Sequence, residues 1–297
     1  MDRGTAAGGG VLRLRGRSFG PGQLVIMARV GWIPGWRDSA RGSALPGWAR
    51  GSARPGSARG SAWGSAWDEA GAMDRVHAVV AEGADIVDLG GGPAGPGTLG
   101  GPAGPGTLGG PAGPETEVTA AEELRRAVPF LAAVRAAYPD LVIGVGAWRH
   151  ETARELCAVG ADLLHDHGER LSEVAEVAEV AAEYGAGLIC SDADRAVARG
   201  VPPARVLVDA GAGTWPSPEA TRRVEEMVAA GWPVLVSVPG PSPEAGRAGG
   251  LAAAAVWAWL GARVFRADQV TPTRRVLDMV AAIRGDRPPA RAVRGLA

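Results

Sequence analysis

Eight short apolar runs constrain this chain more than any other feature; each stops at an acidic or small residue, and most precede a helix-like segment. The clearest is Ala84-Asp85-Ile86-Val87-Asp88-Leu89-Gly90-Gly91. Leu163-Leu164-His165-Asp166, Val206-Leu207-Val208-Asp209 and Val234-Leu235-Val236-Ser237 repeat its form. A β-branched run of this length, buried on both faces, reads as a strand of a parallel sheet. Strands are expected to begin at Leu24, Asp85, Leu141, Asp162, Gly187, Arg205, Pro233 and Arg263. Helical patterns fill 68–82, 120–138, 149–159, 171–184, 218–230, 250–260 and 273–284. The helix at 120–138 is announced by Thr119 with Glu122 three residues later, a capping pattern. The fifth helix is short, because 192–200 holds little more than about two turns before Pro202-Pro203. Eight βα units favour a closed (β/α)8 TIM barrel over an open α/β sheet. The length of 297 residues suits one such domain over 1–297, since a barrel needs about 250.

Two low-complexity insertions interrupt the pattern. Residues 41–67 are built from Gly-Ser-Ala-Arg and Gly-Ser-Ala-Trp units, carry Trp48, Trp63 and Trp67, and show neither strand nor helix periodicity. Residues 91–114 hold Gly-Gly-Pro-Ala-Gly-Pro-Gly-Thr-Leu at 91–99, again at 100–108, and the start of a third copy. This nine-residue repeat is too short for a solenoid unit and lacks the glycine period of collagen. It lengthens one loop at the end of the barrel where a site is expected.

Composition excludes several chemistries. The 31 basic and 32 acidic residues nearly cancel, so no general attraction to nucleic acid or an anionic membrane is implied. Every basic residue among the 31 is arginine, which rules out Schiff-base chemistry, a lysine base and a lysine phosphate clamp. Cys157 and Cys190 sit in apolar patterns and read as buried free thiols, as expected of a cytoplasmic protein. Arg13, Arg15 and Arg17 precede no apolar stretch of the signal-peptide kind, and no run approaches the roughly 20 apolar residues that span a bilayer.

In a parallel α/β fold the residues just past the strand C-termini line the site. That rule nominates Asp209, Asp166, Arg266 and His165. Asp209 either meets the donor edge of a ligand or caps the following turn. Arg266 either binds an anion or pairs with nearby Asp268, and the pair is the expected fate. Asp88 is expected to order the Gly-rich loop after it. His165 and His167 flank Asp166, the minimum set for zinc or iron, but neighbours at one strand end rarely converge on one ion, so no metal is assigned. Gly90-Gly91-Gly92 lacks the helix that a phosphate loop requires. His77 and His150 read as surface residues of helices.

Several of these stretches resemble dihydropteroate synthase. Leu12-Arg13-Leu14 with Phe19-Gly20-Pro21, the 82–91 and 160–166 segments, Gly231-Trp232-Pro233-Val234-Leu235-Val236-Ser237 and Trp259-Leu260-Gly261-Ala262-Arg263-Val264-Phe265-Arg266 carry the likeness in order along the chain. The closing segment, with Arg287-Pro288-Pro289 and Arg294-Gly295-Leu296-Ala297, resembles the second, divergent paralogue of actinomycetes. The resemblance implies a pterin-binding barrel of folate biosynthesis that joins hydroxymethyl-dihydropterin pyrophosphate to p-aminobenzoate with Mg2+; a homodimer is expected separately, as the scaffold reading below predicts. It also exposes departures. The family's metal-holding Asn and its Thr-Pro-Asp-Ser-Phe loop correspond to Gly31-Trp32-Ile33-Pro34-Gly35-Trp36, and its third-strand pterin Asp to Gly146. Its Asn-Asp pair is His165-Asp166 here, and an imidazole cannot copy the donor–acceptor pair of an amide. Asp209 is retained, but Ala210-Gly211-Ala212-Gly213-Thr214-Trp215 follows it; the Ser-x-Lys motif is Ser237-Val238-Pro239, and Arg-x-His is Arg266-Ala267-Asp268. Loss of one donor to a developing anion commonly costs about 10²–10³ in rate. Three readings follow: a degenerate synthase-like protein that keeps pterin binding, a working synthase with a rebuilt site, and a non-catalytic scaffold or oligomerisation partner.

Overall fold

A computed structural model describes residues 10–31, 69–90, 120–147, 149–166, 173–211, 217–238 and 246–288. The 41–67 and 91–114 tracts, His167 and the 212–215 segment lie outside the described residues. Each expected barrel strand begins within one residue of its expected start. After two short strands, β1 (Leu12–Leu14) and β2 (Arg17–Phe19), come β3 (Val25–Gly31), β4 (Ile86–Gly90), β5 (Val142–Ala147) and β6 (Leu163–Asp166). Then follow β7 (Gly187–Cys190), β8 (Val206–Asp209), β9 (Val234–Ser237) and β10 (Val264–Ala267). Strands β3 to β10 pair in parallel and close into a barrel, with β10 beside β3. Helices alternate with them: α1 (Glu69–Ala81), α2 (Ala120–Ala137), α3 (His150–Val159), α4 (Glu173–Tyr184), α5 (Ala193–Ala198), α6 (Pro218–Ala229), α7 (Gly246–Leu260) and α8 (Val270–Arg284). The fifth helix has six residues, as the spacing predicts. No described helix is long and apolar enough to cross a membrane.

Alternation along each strand divides the core in two. Outward residues such as Ile26, Val87, Leu164 and Val208 pack against the helices. Inward residues, among them Val25, Met27, Ile86, Leu163, Ile189, Leu235 and Val264, fill the barrel's lower half. That inner cluster includes Leu12, Leu14 and Phe19, each exposed by 2% or less. The β1–β2 pair is thus an antiparallel hairpin that plugs the N-terminal end of the barrel. Its turn, Arg15-Gly16, has positive φ at both residues (44° and 69°), the requirement of a two-residue turn that matches strand twist. No expectation from the sequence included this hairpin.

Carboxylates and arginines tie the plug down. Asp85 accepts from the Ile26 amide at 2.9 Å and pairs with Arg274 and, at 3.8 Å, with Arg17. Asp162 does the same two strands further around the barrel: it accepts from the Ile143 amide at 2.9 Å and pairs with Arg135 and, at 3.0 Å, with Arg15. Arg263 donates to the carbonyls of Gly10 (2.9 Å), Phe19 (2.9 Å) and Gly20 (2.6 Å). Burial lowers the pKa of Arg263, and it outweighs the pull of Asp162 on Arg135. This end of the barrel is built for stability, which leaves the opposite end for a site.

Candidate functional site

At the C-terminal end the barrel lining turns from apolar to charged. Counting by twos from the buried apolar layer places Asp88 two residues beyond Ile86, His165 beyond Leu163, Asp209 beyond Leu207, Ser237 beyond Leu235 and Arg266 beyond Val264. Period-two alternation therefore aims five polar side chains into one space. Arg266 lies among them, 6% exposed. Its Nε donates to Ser237 Oγ at 3.1 Å, and its Nη1 lies 2.7 Å from His165 Nδ1. Asp88 Oδ2 and Asp209 Oδ2 stand 3.7 and 3.9 Å from its guanidinium nitrogens. His165 Nε2 faces Asp209 Oδ2 at 3.3 Å.

The arginine fixes the tautomer. A guanidinium has only donors, so His165 Nδ1 must accept, and the proton sits on Nε2, aimed at Asp209. Asp209 Oδ1 accepts from the Gly211 amide at 3.0 Å. Burial alone would raise the Asp209 carboxyl pKa; the contacts with His165 and Arg266 and the Gly211 amide outweigh it and hold the carboxyl below its ordinary value. One oxygen of Asp209 therefore caps the turn, and the other faces His165 and Arg266 in the barrel lumen. Asp88 Oδ1 is buried and has no hydrogen-bond partner among the described residues.

Three of the four nominated residues, Asp209, His165 and Arg266, come together. Asp166 follows His165 on β6, so it shares the outer face with Leu164 rather than the lumen. One expectation needs correction. Arg266 does not pair with Asp268; strand β10 ends at Ala267, and Asp268 turns to Arg29, whose Nε lies 3.0 Å from its Oδ1. Asp88 faces Arg266 across the barrel, and the Gly-rich loop it is expected to order lies outside the described residues. Arg29 itself was missed. It interrupts an apolar run two residues after the inward-facing Met27, in register with Asp88, and that position in a barrel strand was the signal. On β5, Gly144 and Gly146 bring no side chain to the lumen; a Cβ at Gly144 would lie 3.1 Å from Met27 Cε and 3.5 Å from Asp88 Oδ1.

Chemically, this set can accept hydrogen bonds from a donor-rich ring edge at Asp209 and Asp88. It is poorly made for a polyanion. Among the described residues at the mouth, Arg266 faces two carboxylates, Arg29 faces Asp268, and Arg75 donates to the Asp268 carbonyl and lies 3.9 Å from Glu82. No group of three or more His, Cys, Asp or Glu that could hold a metal ion occurs among the described residues.

Comparison with known proteins gives the same architecture. A family model described as pterin binding enzyme matches residues 108–195. The inactive dihydropteroate synthase 2 of Mycobacterium tuberculosis is 37% identical over 79% of this chain and 82% of its own. The protein of the same name from Mycobacterium leprae is 38% identical over 79% and 89%. A solved Mycobacterium tuberculosis structure superposes with a TM-score of 0.63 at 32% identity, covering 95% of this chain and all of the other. The dihydropteroate synthase of Coxiella burnetii, solved with pteroic acid, shares the fold at a TM-score of 0.64 and 18% identity over 94% of this chain and 100% of that one. With the eight-stranded parallel barrel and the charged cluster at its C-terminal mouth, these matches show that the chain belongs to the dihydropteroate synthase family.

Proposed function

We propose that this chain is a dihydropteroate synthase-like protein without turnover, whose remaining capacity is to bind a pterin-type ring through Asp209, with His165 and Arg266 beside it. The observation that carries the reading is the state of Arg266. Its guanidinium faces Asp88, Asp209 and His165 within 3.9 Å, so it is not available to neutralise a departing pyrophosphate. The mycobacterial relatives bear the name inactive, which supports the same conclusion. The family resemblance implies Mg2+. Gly31 stands where the metal-holding Asn is expected, and the mouth's carboxylates face arginines, so the described residues do not fit that ion and no step is routed through it. The test is calorimetric titration of the whole chain with hydroxymethyl-dihydropterin pyrophosphate, with and without Mg2+, beside Asp209→Asn. Binding lost in the variant, with no turnover of p-aminobenzoate, is the expected result; turnover would refute the reading.

A homodimer forms part of the proposal. Helices α7 and α8 are neighbours and expose Val256 (51%), Trp259 (59%), Met279 (61%) and Ile283 (66%), large apolar side chains that a second copy would cover. Sedimentation that gives a strict monomer at high concentration would remove both this and the scaffold reading. The two buried free thiols fit a reducing cytoplasm.

A further inference from the structure

The family resemblance places an asparagine at position 165, yet an imidazole stands there, 3% exposed and at the centre of the polar cluster. Its ring presents an acceptor to Arg266 (2.7 Å) and a donor to Asp209 (3.3 Å). That is the pair of contacts a bound nitrogen heterocycle would make between a guanidinium and a carboxylate. We infer that His165 is an internal ligand: its imidazole occupies the positions on Asp209 and Arg266 that an incoming ring would use, and so sets how tightly this end of the barrel binds. The second half rests on the proposed pterin reading; the first half does not.

The surroundings support the assignment. Asp209 Oδ1 already holds the Gly211 amide, so Oδ2 is the oxygen through which a ligand donor would bind, and His165 Nε2 faces it. Swinging the imidazole away would leave Arg266 with Ser237 Oγ at 3.1 Å and two carboxylates at 3.7 and 3.9 Å. Any ligand must repay that loss, which lowers its apparent affinity. Gly146 lies beside His165 in the β5–β6 register, so no side chain from β5 stands next to the ring.

The test uses two variants of the full chain. In His165→Gly, imidazole is added as the probe in thermal melts. The expected result is a Tm below that of the parent chain, regained in saturable dependence on imidazole and not regained when Asp209→Asn is added. In His165→Ala, hydroxymethyl-dihydropterin pyrophosphate is titrated calorimetrically. It should bind about tenfold tighter than to the parent chain, the value of one competing hydrogen bond removed. Equal or weaker binding to His165→Ala, where the parent chain binds measurably, overturns the inference. If no variant binds the pterin but imidazole restores His165→Gly, the internal ligand stands and the pterin reading falls. If imidazole restores nothing, the inference falls whatever the pterin does. Should the glycine variant not fold, the alanine titration decides alone, and absence of tighter binding there counts against it.

Discussion

Replacing Arg266 with methionine removes the cation that faces two buried carboxylates while keeping most of the side-chain volume. Asp209 retains two compensations, the Gly211 amide at 3.0 Å and His165 at 3.3 Å. Asp88 has less: its Oδ2 loses the guanidinium 3.7 Å away, and its Oδ1 has no hydrogen-bond partner among the described residues to begin with. Breaking a buried ion pair by removing one partner costs about 3–5 kcal/mol, a large share of the roughly 5–15 kcal/mol that holds a typical domain together. Most of that loss should trace to Asp88. Urea unfolding of Arg266→Met, Asp88→Asn and the double variant forms a cycle that isolates the coupling. The double variant should recover most of the Arg266→Met loss, because a pair replaced whole costs far less than a pair half removed. A loss below about 1 kcal/mol in Arg266→Met, or a further loss when Asp88→Asn is added, would refute the claim that this arginine balances the barrel mouth.

Further outcomes follow from the same geometry. The Asp209 carboxyl is held below its ordinary pKa, so it contributes stability that is complete above its unfolded value of about 3.9 and is lost as pH falls through the lower folded value. Acid unfolding of Asp209→Asn should therefore be less steep in that range than that of the parent chain; identical acid limbs would refute it. Gly187→Ala should destabilise by about 1–3 kcal/mol in urea, since its Cβ would lie 2.9 Å from Leu163 Cδ1, 3.0 Å from the Arg205 carbonyl and closer still to Leu14. Added to Leu14→Ala, the same substitution should cost less than it does alone, and strict additivity would show that the two do not touch. Burial pushes both thiols, Cys157 and Cys190, up to about 12, so a thiol reagent at pH 8 should label neither until the chain is unfolded.

The barrel was legible because each strand is buried on both faces and each helix on one, so local patterns report the fold directly. The truncated fifth helix could be read from the distance to Pro202-Pro203 alone. The plug could not: two three-residue strands, Leu-Arg-Leu and Arg-Ser-Phe, are too short to show a period, and the barrel residues they pack on are distant in the chain. The site was legible as a set of positions and not as a set of bonds. Proximity in sequence suggested Asp268 for Arg266, whereas the real partners arrive from β4, β6, β8 and β9 through closure of the barrel. Arg29 was hidden for a related reason; a lone arginine in an apolar run is conspicuous only once inward and outward faces are assigned.

The plug at the N-terminal end also fixes an order of events in biosynthesis. Leu12, Leu14 and Phe19 are synthesised well before their anchor, because the guanidinium of Arg263 that bonds the Phe19 carbonyl lies 244 residues later. At about 5–20 residues per second, the hairpin waits roughly 10–50 s for the strand that closes over it. During that interval its apolar side chains have no barrel to enter. A ribosome-bound chain stopped short of β10 should consequently stay open to protease at residues 12–19, however well its middle units have formed.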